Sequence, residues 1–145
     1  MTNIILPVDF SEDATEKLVQ GALKFAREIS GKICLIHVAP TDIGFAIGDM
    51  GFQYFPEIEQ NEIKHELVQL NTLEQRIIAQ GVDCEHLLKQ GIAGDVILEY
   101  AKEKSAGYIV MGSHGRSNMY DVFVGSLTKE LTRRSPIPVL VIPIH

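Results

Sequence analysis

The residues best suited to chemistry lie near the carboxyl end of the chain, in a loop with widely spaced glycines. Gly112 and Gly115 come first, residues 116–124 follow, and Gly125 with Ser126 then opens a predicted helix. Gly112 and Gly115 permit a tight turn and leave amide hydrogens open to an anion. Free amides at a helix amino terminus also hold phosphate. Each feature alone also occurs in ordinary turns and caps, but together they favour a di- or triphosphate ligand.

Other side chains near this loop carry suitable donors and acceptors. Asp9 ends an apolar run, and its carboxylate can accept from ribose hydroxyls or help to hold a metal; a salt-bridged or capping Asp is the alternative. Arg116 can pair with phosphate, and His114 can donate to it, although both are equally suited to solvent. Ser126 and Thr128 add hydroxyl donors. His37, on an apolar run, is typical of a core or cleft-edge histidine.

The elements that must position these residues alternate along the whole chain. Short apolar runs without polar alternation are typical of strands covered on both faces, and amphipathic stretches predict helices between them. The strands predicted from such runs are 3–8, 32–38, 108–111 and 139–142. A further strand, 82–88, alternates with polar residues as an edge strand would. The predicted helices are 11–29, 57–80, one through 96–101, and 125–134. The long helix is expected to bury Ile63, Leu67, Leu70, Leu73 and Ile77.

Strict alternation without a linker or repeat predicts a single α/β domain over 1–145. The predicted architecture is a doubly wound, five-stranded parallel sheet with helices on both faces. In such sheets ligands bind beyond the carboxyl ends of the strands, where the strand order reverses. The loops after Val8 and Met111 flank that point, so a nucleotide site is expected there.

These motifs resemble a known family. The G-x-x-G-x9-G-S pattern, Pro7-Val8-Asp9 at the end of the first strand and the closing segment 138–143 are similar to the ATP-binding branch of the universal stress protein family. The resemblance covers essentially the whole chain. It implies a Rossmann-like sheet of order 3-2-1-4-5 and a cytoplasmic homodimer that binds ATP or AMP, with Mg²⁺ accompanying ATP.

The resemblance also implies where the nucleotide contacts this chain, from the adenosine end to the far phosphate. The implied contacts are Pro7, Val8, Asp9, Val38, Met111, Gly112, His114, Gly115, Arg116, Gly125, Ser126, Leu127 and Thr128. Two positions depart from the family pattern. Phe10 stands where Gly is frequent, which would narrow the mouth of the site, and Ala93 stands where Pro is frequent, which is expected to affect stability only.

Two further segments bear on partners. The last strand, 139–142, is short, apolar and expected at the edge of the sheet, where it can pair with another chain; the resemblance implies that two copies pair there. Residues 39–56 carry Phe45, Phe52, Tyr54 and other aromatic rings among glycines. A loop this apolar predicts a lid, a subunit contact or packing on its own domain.

Composition excludes several function classes. The formal net charge of −6 argues against nucleic-acid binding and against an anionic membrane surface. No signal peptide or membrane span is expected. Cys34 and Cys84 lie in strand-like segments without metal-type spacing, which predicts buried reduced thiols, with a redox-sensitive pair as the alternative. No zinc site is visible.

The choice between sensor and enzyme depends on catalytic partners for the phosphates. The chain lacks a G-x-x-x-x-G-K-[ST] loop and shows no nucleophile set at recognisable spacing. This favours a nucleotide-binding sensor or regulator, with little or no hydrolysis and no catalytic residues, and the family resemblance implies that it acts in stress responses. The alternative is a weak ATPase or autophosphorylating enzyme, with Ser113, Ser117, Ser126 or Thr128 as acceptor. A flavodoxin-like electron carrier and a dimeric interaction module with an empty cleft also stay open.

Overall fold

A computed structural model of the chain describes residues 1–10, 12–48, 51–113 and 125–144. Within them, strands and helices alternate except for one inserted hairpin. The strands are β1 (Asn3–Pro7), β2 (Lys32–Ala39), β3 (Phe45–Gly48), β4 (Gly51–Tyr54), β5 (Cys84–Gln90), β6 (Tyr108–Gly112) and β7 (Val139–Ile142). The helices are α1 (Glu12–Ile29), α2 (Pro56–Ala79), α3 (Ala93–Glu103) and α4 (Ser126–Arg134).

Five strands form one parallel sheet in the order β5-β2-β1-β6-β7. Without the hairpin strands this order is 3-2-1-4-5, so the predicted fold class is confirmed. The chain runs outward from β1 to β2 and β5, and then crosses back to β6 on the other side of β1. The strand order therefore reverses between β1 and β6, which places the carboxyl ends of these two strands at the predicted binding edge.

The sheet is buried on both faces, which explains its apolar runs. Ile4 and Leu6 of β1 pack into one core with residues of α1 and α2, whereas Ile5 packs into a second core with α3 and α4. All three side chains are fully buried. Because successive side chains of a strand point to opposite faces, a strand between two cores must be apolar at every position.

The long helix α2 is rotated relative to the predicted apolar face. Leu70, Leu73 and Ile77 are buried as expected, but Leu67 is 40% exposed. Glu66 precedes Leu70 by one helical turn, and its side chain is only 12% exposed. The prediction that Leu67 belongs to the buried face is therefore wrong, and a carboxylate occupies that face one turn before Leu70.

Residues 39–56, expected as an irregular aromatic loop, contain the antiparallel pair β3–β4. Phe45 pairs with Tyr54 in register, and the rings of Phe45 and Phe52 stack with centroids 5.4 Å apart. Phe45, Phe52 and Tyr54 remain substantially exposed. These three rings thus contact one another and remain exposed, which does not support the alternative that they pack on their own domain.

The two cysteines lie on opposite faces of the sheet. Cys34 belongs to the core with α3 and α4, and Cys84 to the core with α1 and α2. Both are buried free thiols, as predicted. The sheet separates them, so this geometry does not support the alternative of a redox-sensitive pair.

In the described part of the chain, no helix combines the length and apolar character required to cross a membrane.

Candidate functional site

A cavity of about 580 Å³ opens at the carboxyl edge of the sheet, where the strand order reverses. Its size falls within the range of pockets that bind small molecules. The family resemblance implied thirteen contact residues, and ten of them line this cavity: Pro7, Val8, Asp9, Val38, Met111, Gly112, Gly125, Ser126, Leu127 and Thr128. The other three, His114, Gly115 and Arg116, lie outside the described residues.

One end of the cavity is built around the amino terminus of α4. The helix begins at Ser126 without a side-chain cap and without an acidic residue in its first turn. Its first amides therefore have no intrahelical acceptor and carry the positive end of the helix dipole. The amide of Gly125 donates to the carbonyl oxygen of Ser113 at 2.6 Å, so the two ends of the glycine loop are joined. This end of the cavity suits an anion.

Thr128 fixes α4 to the sheet at this point. Its hydroxyl is buried and donates to the carbonyl oxygen of Gly112 at 2.8 Å. Gly112 is the last residue of β6. The bond sets the position of the helix amino terminus relative to the strand end, and it assigns Thr128 a structural contact within the site.

The opposite wall of the cavity is acidic. Glu62 and Glu66 line it from α2, which packs on the other face of the sheet from α4. Asp9 lines the cavity between these two sides, two residues after the end of β1. None of the described lining residues is Lys or Arg. A phosphate chain is repelled by carboxylates and attracted by the amino terminus of α4, so the cavity has an electrostatic direction.

His37 and Glu66 form a buried pair in this wall, and the sequence reasoning did not anticipate it. His37 Nε2 lies against Glu66 Oε2 at ion-pair distance, without the alignment of a hydrogen bond. His37 Nδ1 lies 2.8 Å from the carbonyl oxygen of Val8. Since that carbonyl can only accept, Nδ1 is the donor. His37 is 5% exposed and lines the cavity, so the prediction of a cleft-edge histidine agrees with its position.

Phe10 does not line the cavity, so the expected narrowing of its mouth is not seen. Its ring packs on the imidazole of His37 with centroids 4.8 Å apart. The backbone of Phe10 has a φ of 62°, in the left-handed region that favours glycine. This conformation agrees with the glycine that the family resemblance implies at this position, and in this chain the aromatic ring packs on the buried pair instead.

Several lining residues carried no sequence signal. Pro40 and Ile43 line the cavity after β2, and Ala93 lines it from the first residue of α3. The expectation that Ala93 affects stability alone therefore misses its position at the cavity. Thr15 of α1 also lines the cavity, and its buried hydroxyl has no hydrogen-bond partner among the described residues. A bound ligand could satisfy this hydroxyl.

Comparison with known proteins identifies the family. The model of the universal stress protein family matches residues 1–143. The chain belongs to the universal stress protein family. This universal stress protein is 27% identical over 147 residues to YxiE of Bacillus subtilis, covering 98% of this chain and 99% of YxiE. It is also 27% identical over 151 residues to MJ0577 of Methanocaldococcus jannaschii, covering 96% of this chain and 93% of that protein.

Solved structures of the family share the fold. The structure of MJ0577 superposes with a TM-score of 0.73 at 26% identity, covering 98% of this universal stress protein and 95% of that chain. Two other family structures contain nucleotides. One is an Archaeoglobus fulgidus protein in complex with dAMP, at a TM-score of 0.68, 21% identity and 98% coverage of both chains. The other is a complex with cAMP, at 0.66 and 22% identity, covering 99% of this chain and 98% of the other.

The described residues supply binding groups without a preformed metal centre. Among them, no group of three His, Cys, Asp or Glu side chains could hold a metal ion. What the cavity does supply is apolar walls from Val8, Val38 and Met111, an anion-binding end and an acidic end. This arrangement is suited to holding a ligand that is apolar in the middle, anionic at one end and rich in hydrogen-bond donors at the other.

Proposed function

We propose that this universal stress protein binds an adenine nucleotide, ATP or AMP, at the carboxyl edge of its sheet and acts as a cytoplasmic sensor or regulator of stress responses. The observation that carries the proposal is the cavity between the ends of β1 and β6 and the amino terminus of α4. Ten of the nucleotide contacts that the family resemblance implied line this one cavity.

The relatives support the choice of ligand. Two structures with the same fold are complexes with dAMP and cAMP, which share an adenine base and a phosphate. A cavity of about 580 Å³ with one apolar section and one helix amino terminus suits both parts of such a molecule. The predicted spacing of Gly112, Gly115 and Gly125 provides room for more than one phosphate.

We further propose that hydrolysis is slow or absent, with any Mg²⁺ arriving bound to ATP. The described wall carries no Lys or Arg to neutralise a transferring phosphoryl group. Two of the four acceptors that an autophosphorylating enzyme would use are engaged. Thr128 donates to Gly112, and the hydroxyl oxygen of Ser113 accepts from the amide of Ile144 at 2.9 Å.

Calorimetry with the purified full chain tests the proposal. Titrations with ATP and magnesium, and with AMP, are expected to show saturable binding. Incubation with γ-labelled ATP and magnesium is expected to leave the nucleotide intact and the protein unlabelled. No heat at millimolar nucleotide would contradict nucleotide binding. Steady phosphate release or a labelled protein would favour the weak ATPase or autokinase instead.

The proposed assembly is a homodimer paired through 139–142. The strand β7 pairs with β6 on one side and is the last strand of the sheet on the other. Its four side chains, all aliphatic, are half-buried. Native mass spectrometry of the chain is expected to give the dimer mass. Val141→Lys places a charge in the edge strand and is expected to give monomers; an unchanged dimer would place the contact elsewhere.

A further inference from the structure

Glu66 is a buried carboxylate with an unfilled hydrogen-bonding capacity at the cavity wall. Its side chain is 12% exposed, and Oε2 lies against His37. The other oxygen, Oε1, makes no hydrogen bond with a described residue. A carboxylate so far removed from water requires donors, because burying it without them is costly. Since Glu66 lines the cavity, a bound ligand can supply the missing donor.

The electrostatic direction of the cavity determines which part of a nucleotide reaches Glu66. The phosphates are attracted to the amino terminus of α4, at Gly125 and Ser126. The base then extends toward the wall that contains Glu66, Pro40 and Ile43. A base is planar and largely apolar, and it carries its donors and acceptors on its edge. The part of the ligand next to Glu66 is therefore a base edge.

We propose that Glu66 determines base specificity by accepting a hydrogen bond from the exocyclic amino group of adenine. This inference rests on the proposed nucleotide binding and adds the group that distinguishes one base from another. A carboxylate oxygen only accepts, and the amino group donates, so the two are complementary. A purine without that amino group offers Oε1 no donor at this position.

His37 is the positioning residue for this carboxylate. Its Nδ1 is held by the carbonyl oxygen of Val8 at 2.8 Å, and its ring packs against Phe10. The imidazole is thus held on one side by Val8, directly after β1, and its Nε2 lies against Oε2 of Glu66 on the other. This close contact restricts the positions that the carboxylate can take, and selective recognition requires a carboxylate oxygen at a defined place in the wall.

The test compares two nucleotides that differ only in the amino group. ATP and purine riboside 5′-triphosphate, each with magnesium, are titrated into the wild-type chain by calorimetry. Hydrogen bonds to charged groups are among the strongest in proteins. We therefore expect ATP to bind about ten-fold or more tightly than the purine nucleotide. Equal affinities would overturn the inference, without recourse to any variant.

Variants assign the preference to Glu66. In Glu66→Ala the ten-fold ratio is expected to fall to about one, mainly through weaker binding of ATP. Glu62→Ala is the matched control, because Glu62 lies one turn away on α2, lines the same cavity and is exposed. It is expected to keep the ratio. His37→Ala is expected to lower the ratio while the purine nucleotide binds nearly as before, an effect that general loss of structure would not produce.

The outcomes separate this inference from the proposed function. Binding of both nucleotides with a ratio of one in the wild type would leave nucleotide binding intact and overturn the role of Glu66. A wild-type preference that persists in Glu66→Ala, or one that disappears in Glu62→Ala, would likewise overturn it. If neither nucleotide binds to the wild-type chain, both the proposed function and this inference are wrong.

Discussion

The hydroxyl of Thr128 lies 2.8 Å from the carbonyl oxygen of Gly112 and ties the first turn of α4 to the end of β6. Thr128 is 3% exposed, so this bond is sheltered from water. Both residues line the cavity, and the glycine-rich segment lies between them in the sequence. The bond therefore holds the anion-binding helix terminus at a fixed position beside the strand end.

Replacing this hydroxyl is expected to lower stability and nucleotide affinity together. Thr128→Val keeps the shape of the side chain but removes the donor, so it costs about 1–3 kcal/mol in the free energy of unfolding. Thr128→Ser is the matched control, because it retains the hydroxyl. Urea titration and calorimetry with ATP measure the two effects. A valine variant as stable as the serine variant would show that the bond contributes little.

A second prediction concerns charge at the amino terminus of α4. Ser126→Asp places a carboxylate where the proposed phosphates lie, and like charges repel. The same change favours the helix, because a negative charge at its amino terminus interacts well with the dipole. Affinity for ATP is thus expected to fall about ten-fold at low salt, with stability unchanged or raised by roughly 0.3–1 kcal/mol.

The control for this change is Ser126→Asn, which is similar in size and uncharged. Ser126 is exposed, so neither substitution disturbs packing. The asparagine variant is expected to bind ATP nearly as well as the wild type, and added salt is expected to reduce the difference between the variants. Equal ATP affinity of the Asp and Asn variants at low salt would mean that phosphate binds away from this helix.

The sheet was predictable from the sequence because its strands are covered on both faces. Continuous apolar runs such as 3–8 and 32–38 predict strands that are buried on both faces of a sheet. Their alternation with helices predicts that the strands of this sheet are parallel. The two loops at the cavity, after Val8 and Met111, followed from the same logic, whereas the individual cavity residues were predicted from the family resemblance. Residues 114–116, central to the predicted glycine motif, lie outside the described residues, and their proposed phosphate contacts stay predictions.

Other features depend on information that a linear pattern does not carry. The hairpin β3–β4 has only four residues in each strand, too few for a clear period of two. Glu66 shares a helical face with Leu70 and Ile77. The presence of a carboxylate on this apolar face is explained by its pairing with His37, which is distant in sequence. The alternation of side chains along β2 predicts the face of the sheet on which His37 lies, but it does not predict that Glu66 is its partner.

A third prediction follows from the left-handed backbone of Phe10, whose φ is 62°. Side chains with a Cβ are strained in this conformation by about 1–2 kcal/mol, whereas glycine is not. Phe10→Gly and Phe10→Ala both remove the ring that packs on His37. The glycine variant is nevertheless expected to be the more stable of the two, by about 1 kcal/mol in urea or thermal unfolding.

The opposite order is expected in the first turn of the following helix. At Ala14 of α1, substitution by glycine is expected to destabilise the protein by roughly 0.5–1 kcal/mol, because alanine loses less backbone entropy than glycine on becoming helical. An alanine at position 10 that matches or exceeds glycine in stability would show that the strain at Phe10 is negligible. The comparison separates backbone strain from the loss of the aromatic contact.

The fourth prediction concerns the alkaline stability of the two buried thiols. Burial raises the pKa of Cys34 from 9.0 to about 12, and burial likewise raises the pKa of Cys84 from 9.0 to about 12. In the unfolded chain both thiols ionise near their ordinary value, while in the folded chain they stay protonated. Between about pH 9 and 12 the folded state therefore binds more protons, and stability falls as the pH rises.

Each thiol contributes a slope of at most about 1.4 kcal/mol per pH unit, in the free energy of unfolding, within this window. Urea titrations at pH 8 to 10.5 are expected to show the fall, which begins only as the pH approaches 9. The double variant Cys34→Ala/Cys84→Ala is expected to be less stable at pH 8, because it leaves small cavities, but to have a shallower alkaline slope. A slope as steep as that of the wild type would assign the loss to other groups.

The burial of both thiols, one on each face of the sheet, also predicts their reactivity. Iodoacetamide at pH 8 is expected to modify neither thiol before urea unfolds the chain, because the reagent cannot reach a buried sulfur.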